Sequence, residues 1–268
     1  MPETPSHHGG NADAMTFWDH LETLRWALIR VIAAWGVLFV GGFALMPWLF
    51  DNVVMAPASG DFCLYRWLAH FAGTFSAVPS ELTQPFHVDI INIRLASQFF
   101  LQMELAMWFA FLAAFPYAVY EAWRFVCPAL YQSEKRGIRF TFVFGTLMFF
   151  AGCAVGYVLV FPLTLRFLYN YRLSGLIDNQ LSLDSYMSNF LMLTSMMGIV
   201  FELPLVSLFL SRLGVLRRSF FSAYRRHAIV AILVVAAFIT PSADPFTLFA
   251  VFLPIYLLWE GSAILVRK

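Results

Sequence analysis

The stretch SMMGIVFELPLVSLFL, residues 195–210, places one acidic side chain, Glu202, among Met, Val, Leu and Phe. A run this apolar is typical of a membrane-spanning helix, where a carboxylate costs roughly 2.5 kcal/mol or more and usually faces the bundle interior or a water-filled cavity. Pro204 removes one helical hydrogen bond, so we expect a kink beside Glu202. The pair predicts a polar notch in an apolar wall. The structural alternative is a Glu202 carboxyl that binds Ser195, Ser207 or a freed backbone carbonyl.

The rest of the chain has the same apolar character. Its 268 residues are 60% hydrophobic and 12% charged, whereas soluble domains carry about 25% charged residues. Runs long enough for a bilayer core of about 30 Å occur at residues 27–50, 94–120, 138–161 and 186–210, and a hairpin follows at 227–239 and 246–266. We therefore predict an all-α integral membrane protein with six transmembrane helices. The first arm of the hairpin is too short to cross a normal bilayer upright.

The domain organisation is simple. Residues 1–15 are polar and predict a disordered N-terminal tail, and residues 16–268 predict one six-helix transmembrane domain. The first apolar segment lacks the small-residue cleavage site of a signal peptide, so we expect it to be retained as a span.

The distribution of basic residues predicts the orientation. With the N-terminus inside, 13 of the 17 Lys and Arg residues fall in inner segments and four in outer ones. The positive-inside rule then places both termini in the cytoplasm. The outer loop at residues 51–93 mixes aromatic and polar side chains, and we expect it to pack as a cap on the spans.

Two inner segments and one outer turn carry acidic candidates. TFWDHLETLRWALIR, residues 16–30, predicts an amphipathic helix along the inner leaflet, which could be a simple interfacial anchor. In AWRFVCPALYQSEKR, residues 122–136, the exposed Glu134 could receive an arginine in bidentate geometry or could merely cap the next helix. Asp244, in the turn TPSADPF at residues 240–246, needs no function beyond the turn.

Signatures of catalysis are absent from the sequence. It contains no H-E-x-x-H, G-x-G-x-x-G, P-loop or G-x-S-x-G motif, and its six His residues lack metal-ligand spacing. We expect no catalytic residue, no metal, no cofactor and no nucleic-acid partner.

Five motifs, taken in order, resemble the TatC family, the multispanning receptor subunit of the twin-arginine protein translocase. They are HLETLR (20–25), WRFVCPALYQSE (123–134), FAGCAVGY (150–157), GIVFELP (198–204) and TPSADPF (240–246). Each motif is weak alone, but five in this order across six spans are specific.

The resemblance implies both a fold and a function. The fold would be a concave, glove-like bundle with short fifth and sixth helices, in the bacterial cytoplasmic (inner) membrane. The protein would bind twin-arginine signal peptides of folded cargo at its cytoplasmic face. It would also recruit single-span subunits of the TatA and TatB type, self-associate in a larger complex, and use the proton-motive force.

The resemblance also implies roles for individual residues. Signal-peptide binding would involve Glu134, Phe125 and Pro128 of the inner loop with Glu22, Asp19 and Arg25 of the N-terminal segment. Glu202 and Pro204 would form an intramembrane polar site for partner helices. Asp244, Pro57 and Tyr157 match recurrent positions, Asp244 being on the outer side.

One position departs from the family pattern. The family motif resembles H-L-x-E-L-R, but Thr23 stands where the glutamate is expected and the acid is Glu22. A shift of one residue turns a helical side chain by about 100°, and Asp19 lies one helical turn before Thr23. Either acid could take the place of the family's glutamate.

Two other functions are compatible with the sequence. One is a proton-coupled secondary transporter with Glu202 as proton carrier, and the other is a purely structural scaffold.

Overall fold

The computed structural model describes residues 17–72, 88–126, 135–171, 174, 179–212, 214–240 and 244–266. The predicted tail at residues 1–15 lies outside this part. The described helices are α1 (Phe17–Leu49), α2 (Cys63–Ala72), α3 (Ser97–Val126), α4 (Lys135–Val155), α5 (Phe161–Asn170), α6 (Leu183–Val200), α7 (Leu203–Arg212), α8 (Arg218–Ala223), α9 (Arg225–Ile239) and α10 (Pro245–Leu265). Two strands, β1 (Ile90–Ile91) and β2 (Leu181–Ser182), form one parallel pair.

The apolar helices confirm the predicted all-α membrane fold. Within the described ranges, five helical segments are long and apolar enough to cross a membrane. They comprise α1, α3, the run from α4 to α5, the run from α6 to α7, and α10. The remaining span, α9, has 15 residues, about 22 Å at 1.5 Å per residue. It and the 21-residue α10 are the shortest of the six, as predicted.

The first helix differs from the prediction. A separate interfacial helix was expected at residues 16–30, but α1 runs unbroken for 33 residues. The reason is local, because within α1 the first glycine is Gly36 and the first proline is Pro47. A helix of about 50 Å exceeds the bilayer core of about 30 Å, so its first turns extend beyond the apolar layer as part of the span itself.

The third span passes through its proline. A wide turn at Gly156–Val160 joins α4 to α5, and Pro162 sits in the first turn of α5. A π-type turn shifts the hydrogen-bond ladder, so the missing N–H of Pro162 disrupts little. The span therefore continues to Asn170, nine residues beyond the predicted end at residue 161.

The fourth span is broken where Pro204 predicts a kink. The helix is interrupted at Phe201 and Glu202, and the Glu202 amide donates to Ile199 O at 3.1 Å instead of to the residue four back. Upstream of the break, α6 packs closely on α4. A methyl group at Gly152 would lie 2.5 Å from Met197 O, so this contact requires glycine.

The outer loop packs as a cap, as predicted, over its described residues. The segment 53–58 is held by three tyrosine hydroxyls: Tyr157 donates to Val53 O at 2.8 Å, Tyr186 to Val54 O at 2.6 Å, and Tyr65 lies 3.1 Å from Pro57 O. Strands β1 and β2 then tie the residues before α3 to those before α6. We call this the capped end of the bundle. The basic end is the opposite one, where α1 begins, α3 and α10 end, and Arg25, Arg30, Arg124 and Arg225 lie.

Candidate functional site

A groove at the basic end lies between the start of α1 and the end of α3. The two helices run antiparallel, with the Trp35 indole donating to Met107 O at 3.2 Å and Gln102 donating to Phe43 O at 3.2 Å. The groove has a volume of about 390 Å³. We call it the inner groove, and its lining residues are Glu22, Thr23, Trp26, Ala27, Arg30, Glu121, Arg124 and Phe125.

An ion pair closes one side of the inner groove. The Arg30 guanidinium binds the Glu121 carboxylate through two contacts, from Nε to Oε1 at 2.9 Å and from Nη2 to Oε2 at 2.7 Å. The Tyr117 hydroxyl, one turn earlier on α3, donates to Oε1 at 3.0 Å. The Glu121 side chain is 3% exposed and that of Arg30 is 39% exposed. The carboxylate is therefore fixed from two directions, and its arginine partner has a path to solvent.

The structure brings together two of the predicted signal-peptide residues. Glu22 and Phe125 both line the inner groove, from α1 and α3 respectively. Arg25 is an exposed residue of α1 outside the lining. Asp19 is on the first turns of α1, but its side chain lies outside the described part of the structure. Glu134 and Pro128 also lie outside the described residues, in the segment that joins α3 to α4.

Sequence reasoning missed Glu121. Two signals pointed to it: Arg30 interrupts the first predicted span, and Glu121 lies just past the end of the second. An acid and a base at membrane depth on consecutive spans predict a pair, because each is costly alone. Pairing them needs the register between α1 and α3, which one sequence does not provide.

A second polar site surrounds Glu202 at the break between α6 and α7. Its side chain is half-buried, and Oε1 is buried with no hydrogen-bond partner among the described residues. The structural alternative, in which Ser195, Ser207 or a backbone carbonyl satisfies the carboxyl, is therefore not found in this part of the chain. The buried Pro204 lies just beyond the break. A half-buried carboxyl group with one oxygen unsatisfied inside an apolar wall is costly, and no contact among the described residues offsets that cost.

Two of the predicted residues, Pro57 and Tyr157, take part in the packing of the capped end. Pro57 is buried, and its carbonyl faces the Tyr65 hydroxyl. Tyr157 binds the same segment and packs its ring edge-on to Phe62 at 5.5 Å. Pro57 and Tyr157 thus belong to one cluster that closes the cap.

Asp244 is separate from that cluster and begins α10. Its Oδ1 accepts the Thr247 amide at 2.8 Å, the geometry of a helix N-cap. Capping accounts for an aspartate at this position. Over the described ranges, no group of three or more His, Cys, Asp or Glu side chains is arranged to hold a metal ion.

Comparison with known proteins identifies the family. The model of the family described as Sec-independent protein translocase protein (TatC) matches residues 19–254. The TatC of Blattabacterium sp. subsp. Periplaneta americana is 30% identical, over 92% of this chain and 93% of that protein. The TatC of Deinococcus radiodurans is 32% identical, over 93% of this chain and 85% of that protein.

Solved structures give the same answer. A crystal structure of the twin arginine translocase receptor TatC superposes with a TM-score of 0.71 at 29% identity, covering 92% of this chain and 97% of that one. A second, in the detergent DDM, gives a TM-score of 0.73 at 28% identity, covering 93% and 100%. The family consists of translocase components, so this chain is a membrane transport protein and not an enzyme. The chain belongs to the TatC family of Sec-independent protein translocase proteins.

Proposed function

We propose that this protein is the receptor subunit of a twin-arginine translocase and binds twin-arginine signal peptides at the inner groove. The observation that carries the proposal is the lining of that groove, where the carboxylates of Glu22 and Glu121 lie beside the aromatic side chains of Trp26 and Phe125. Carboxylates bind guanidinium groups in bidentate geometry, and aromatic faces stack on them. Phe125 is also two residues before the segment that carries Glu134, the family-type glutamate.

We infer that the basic end faces the cytoplasm of a bacterium. The described residues there include Arg25, Arg30, Arg124, Arg217 and Arg225, and the positive-inside rule places such clusters on the cytoplasmic side. Both termini of the chain would then lie in the cytoplasm as well. The inner groove then opens toward the compartment from which folded cargo with its signal peptide arrives, across the cytoplasmic membrane.

Glu202 is proposed as the docking point for single-span partner subunits of the TatA and TatB type. Its buried Oε1 has no partner among the described residues, and the break at Phe201 and Glu202 puts it in an otherwise apolar wall. A polar side chain at the same depth on a partner helix would bind the exposed part of this half-buried carboxyl group. The assembled complex, with several copies of this chain, would then move cargo at the expense of the proton-motive force. Family membership favours this function over a proton-coupled transporter of small solutes.

The first experiment measures binding of a fluorescent twin-arginine signal peptide to the detergent-purified protein. The control peptide carries Lys-Lys in place of Arg-Arg. We expect selective binding of the arginine peptide, lost in Glu134→Gln and kept in Asp184→Asn, which removes a carboxylate at the capped end. Partner subunits are then added, because they could complete the site. Equal binding of both peptides in their presence would overturn the receptor proposal.

The partner site has its own experiment. Glu202→Ala is expected to insert into the membrane normally but to co-purify poorly with the single-span subunits. Unchanged co-purification and unchanged cargo export, measured in cells with an intact proton gradient, would remove Glu202 from the partner interface. Dissipation of the gradient is expected to stop export without releasing the bound signal peptide.

A further inference from the structure

The ion pair on the wall of the inner groove has the chemistry of the ligand that the groove is proposed to take. Glu121 holds a guanidinium through both carboxylate oxygens, at 2.9 and 2.7 Å. This arrangement uses two N–H donors in one plane, which arginine has and lysine lacks. Tyr117 donates to the same carboxylate at 3.0 Å, so the acceptor stays oriented whichever guanidinium occupies it. The groove therefore contains a formed guanidinium subsite, and a residue of the same chain fills it.

We propose that Glu121 is a guanidinium-binding residue for the signal peptide, and that Arg30 fills its subsite until one of the two peptide arginines displaces it. This inference rests on the proposed receptor function. It assigns to Glu121 a role in specificity and to Arg30 the role of a competitor built into the groove.

The position of Thr23 supports this assignment. Thr23 stands where the family pattern has a carboxylate, and it lines the inner groove together with Glu121. The wall formed by α1 therefore lacks an acid at that point, while the facing wall, formed by α3, supplies one. Glu22 is exposed and makes no ion pair with a described side chain, so a peptide with two arginines would find one carboxylate at Glu22 and another at Glu121.

The charge balance of the groove explains why Arg30 must leave. Two acids, Glu22 and Glu121, face two bases, Arg30 and Arg124. A ligand with two positive charges gains little from a neutral groove. Arg30 is 39% exposed, and a long arginine side chain at this depth can extend to water and lipid phosphates. Its departure frees the Glu121 carboxylate and leaves the groove with a net negative charge.

The rival interpretation is a brace, in which Arg30 and Glu121 only join α1 to α3. The two interpretations predict opposite changes in peptide affinity when Arg30 is replaced. Loss of a brace weakens the fold and the peptide site together, whereas loss of a competitor strengthens peptide binding.

The test is a double-mutant cycle on the full-length protein with the fluorescent twin-arginine peptide. Arg30→Gln is expected to tighten binding about tenfold, the gain for a subsite that Arg30 fills about nine-tenths of the time. Glu121→Gln is expected to weaken binding by about tenfold to a hundredfold, as for a lost charge-assisted contact. In the double variant the gain disappears and binding is as weak as in Glu121→Gln.

The chain offers a matched control at the α9–α10 contact. Arg225 donates to Glu260 at 2.8 Å, and Tyr256, one turn before Glu260, donates to the same carboxylate at 2.9 Å. This constellation has the same three residue types but lies outside the lining of the inner groove. Arg225→Gln is therefore expected to leave peptide affinity unchanged.

The outcomes separate the two proposals. If the wild-type protein selects the Arg-Arg over the Lys-Lys peptide but Arg30→Gln fails to tighten binding, the competitor role is wrong and the receptor function stands. If the wild-type protein shows no selectivity with partner subunits present, the receptor function itself is wrong. Should Arg30→Gln fold poorly, Arg30→Lys keeps the charge without the bidentate contact and is expected to give a smaller gain. Weaker binding in Arg30→Lys would support the brace.

Discussion

The Glu202 carboxylate lies over Gly145 of the neighbouring helix α4, so that a methyl group at residue 145 would be 3.4 Å from Glu202 Oε2. The same methyl group would be 2.7 Å from Leu205 Cδ2. The absence of a side chain on α4 therefore makes the space in which a half-buried carboxylate fits beside the break between α6 and α7. Gly145 thus leaves space for the carboxyl group, but no described residue donates a hydrogen bond to its Oε1.

Replacement of Glu202 by methionine is expected to leave the isolated protein as stable as before or more stable, by about 1 kcal/mol. The reason is that Oε1 has no partner to lose, while methionine fills a similar volume. Association with single-span subunits is expected to fall in the same variant. Thermal unfolding in detergent measures the first effect and co-purification the second.

Glu121→Met is the matched comparison, because its carboxylate is buried and paired. The substitution leaves Arg30 without its acceptor and Tyr117 without its own, so we expect a lower unfolding temperature. A fall of equal size in Glu202→Met would show that Glu202 has a stabilising partner and would contradict the account of its site.

The contact between α4 and α6 predicts a strong effect at Gly152. A methyl group there would lie 2.5 Å from Met197 O and 2.6 Å from Phe201 Cβ, and backbone cannot move aside as a flexible side chain can. Gly152→Ala is expected to cost about 1–3 kcal/mol of unfolding free energy. Gly261→Ala is the control, since nothing lies within 4 Å of the added methyl group. Equal unfolding temperatures for the two variants would show that the helices separate easily.

Much of the fold could be predicted because it depends on local composition. Apolar length predicts the spans, Pro204 predicts the break in the fourth span, and the aromatic content of residues 51–93 predicts a packed cap. The continuous α1 was missed because amphipathic residues at 16–30 suggest an interfacial helix. Only the absence of Gly and Pro from residues 17–35 indicates that the helix does not stop.

The candidate site was predicted less completely, because it depends on contacts between distant residues. Arg30 and Glu121 are 91 positions apart, and the pair exists only once α1 and α3 have docked in one register. The same is true of the parallel pairing of Ile90 with Leu181. Two residues are too few to show an alternating pattern, so the sequence does not predict these strands.

The contacts of Tyr65 indicate that this residue stabilises the cap. Its hydroxyl lies 3.1 Å from Pro57 O and 3.2 Å from Pro162 O, and its ring lies 5.0 Å from the guanidinium carbon of the buried Arg166. Tyr65→Phe is expected to cost about 1–3 kcal/mol, because buried carbonyls lose their donor while the ring remains. Tyr65→Leu is expected to cost more, since the cation–π contact is lost too. Equal losses in unfolding experiments would show that the ring contributes nothing.

Cys63 offers a direct test of orientation. It is exposed at the start of α2, at the capped end, whereas Cys153 is buried. If the basic end is cytoplasmic, a membrane-impermeant maleimide added to intact spheroplasts reaches Cys63 from outside. The remaining thiol, Cys127, lies outside the described residues. All labelling is therefore done in a Cys127→Ser variant.

We expect labelling of this variant without permeabilisation and none when Cys63→Ser is added to it. The physical reason is that the positive-inside distribution places 13 of 17 basic residues on the other side from the cap. Labelling that requires permeabilised membranes would place the capped end in the cytoplasm. The inner groove would then open away from arriving cargo, so both the receptor function and the displacement of Arg30 would have to be abandoned.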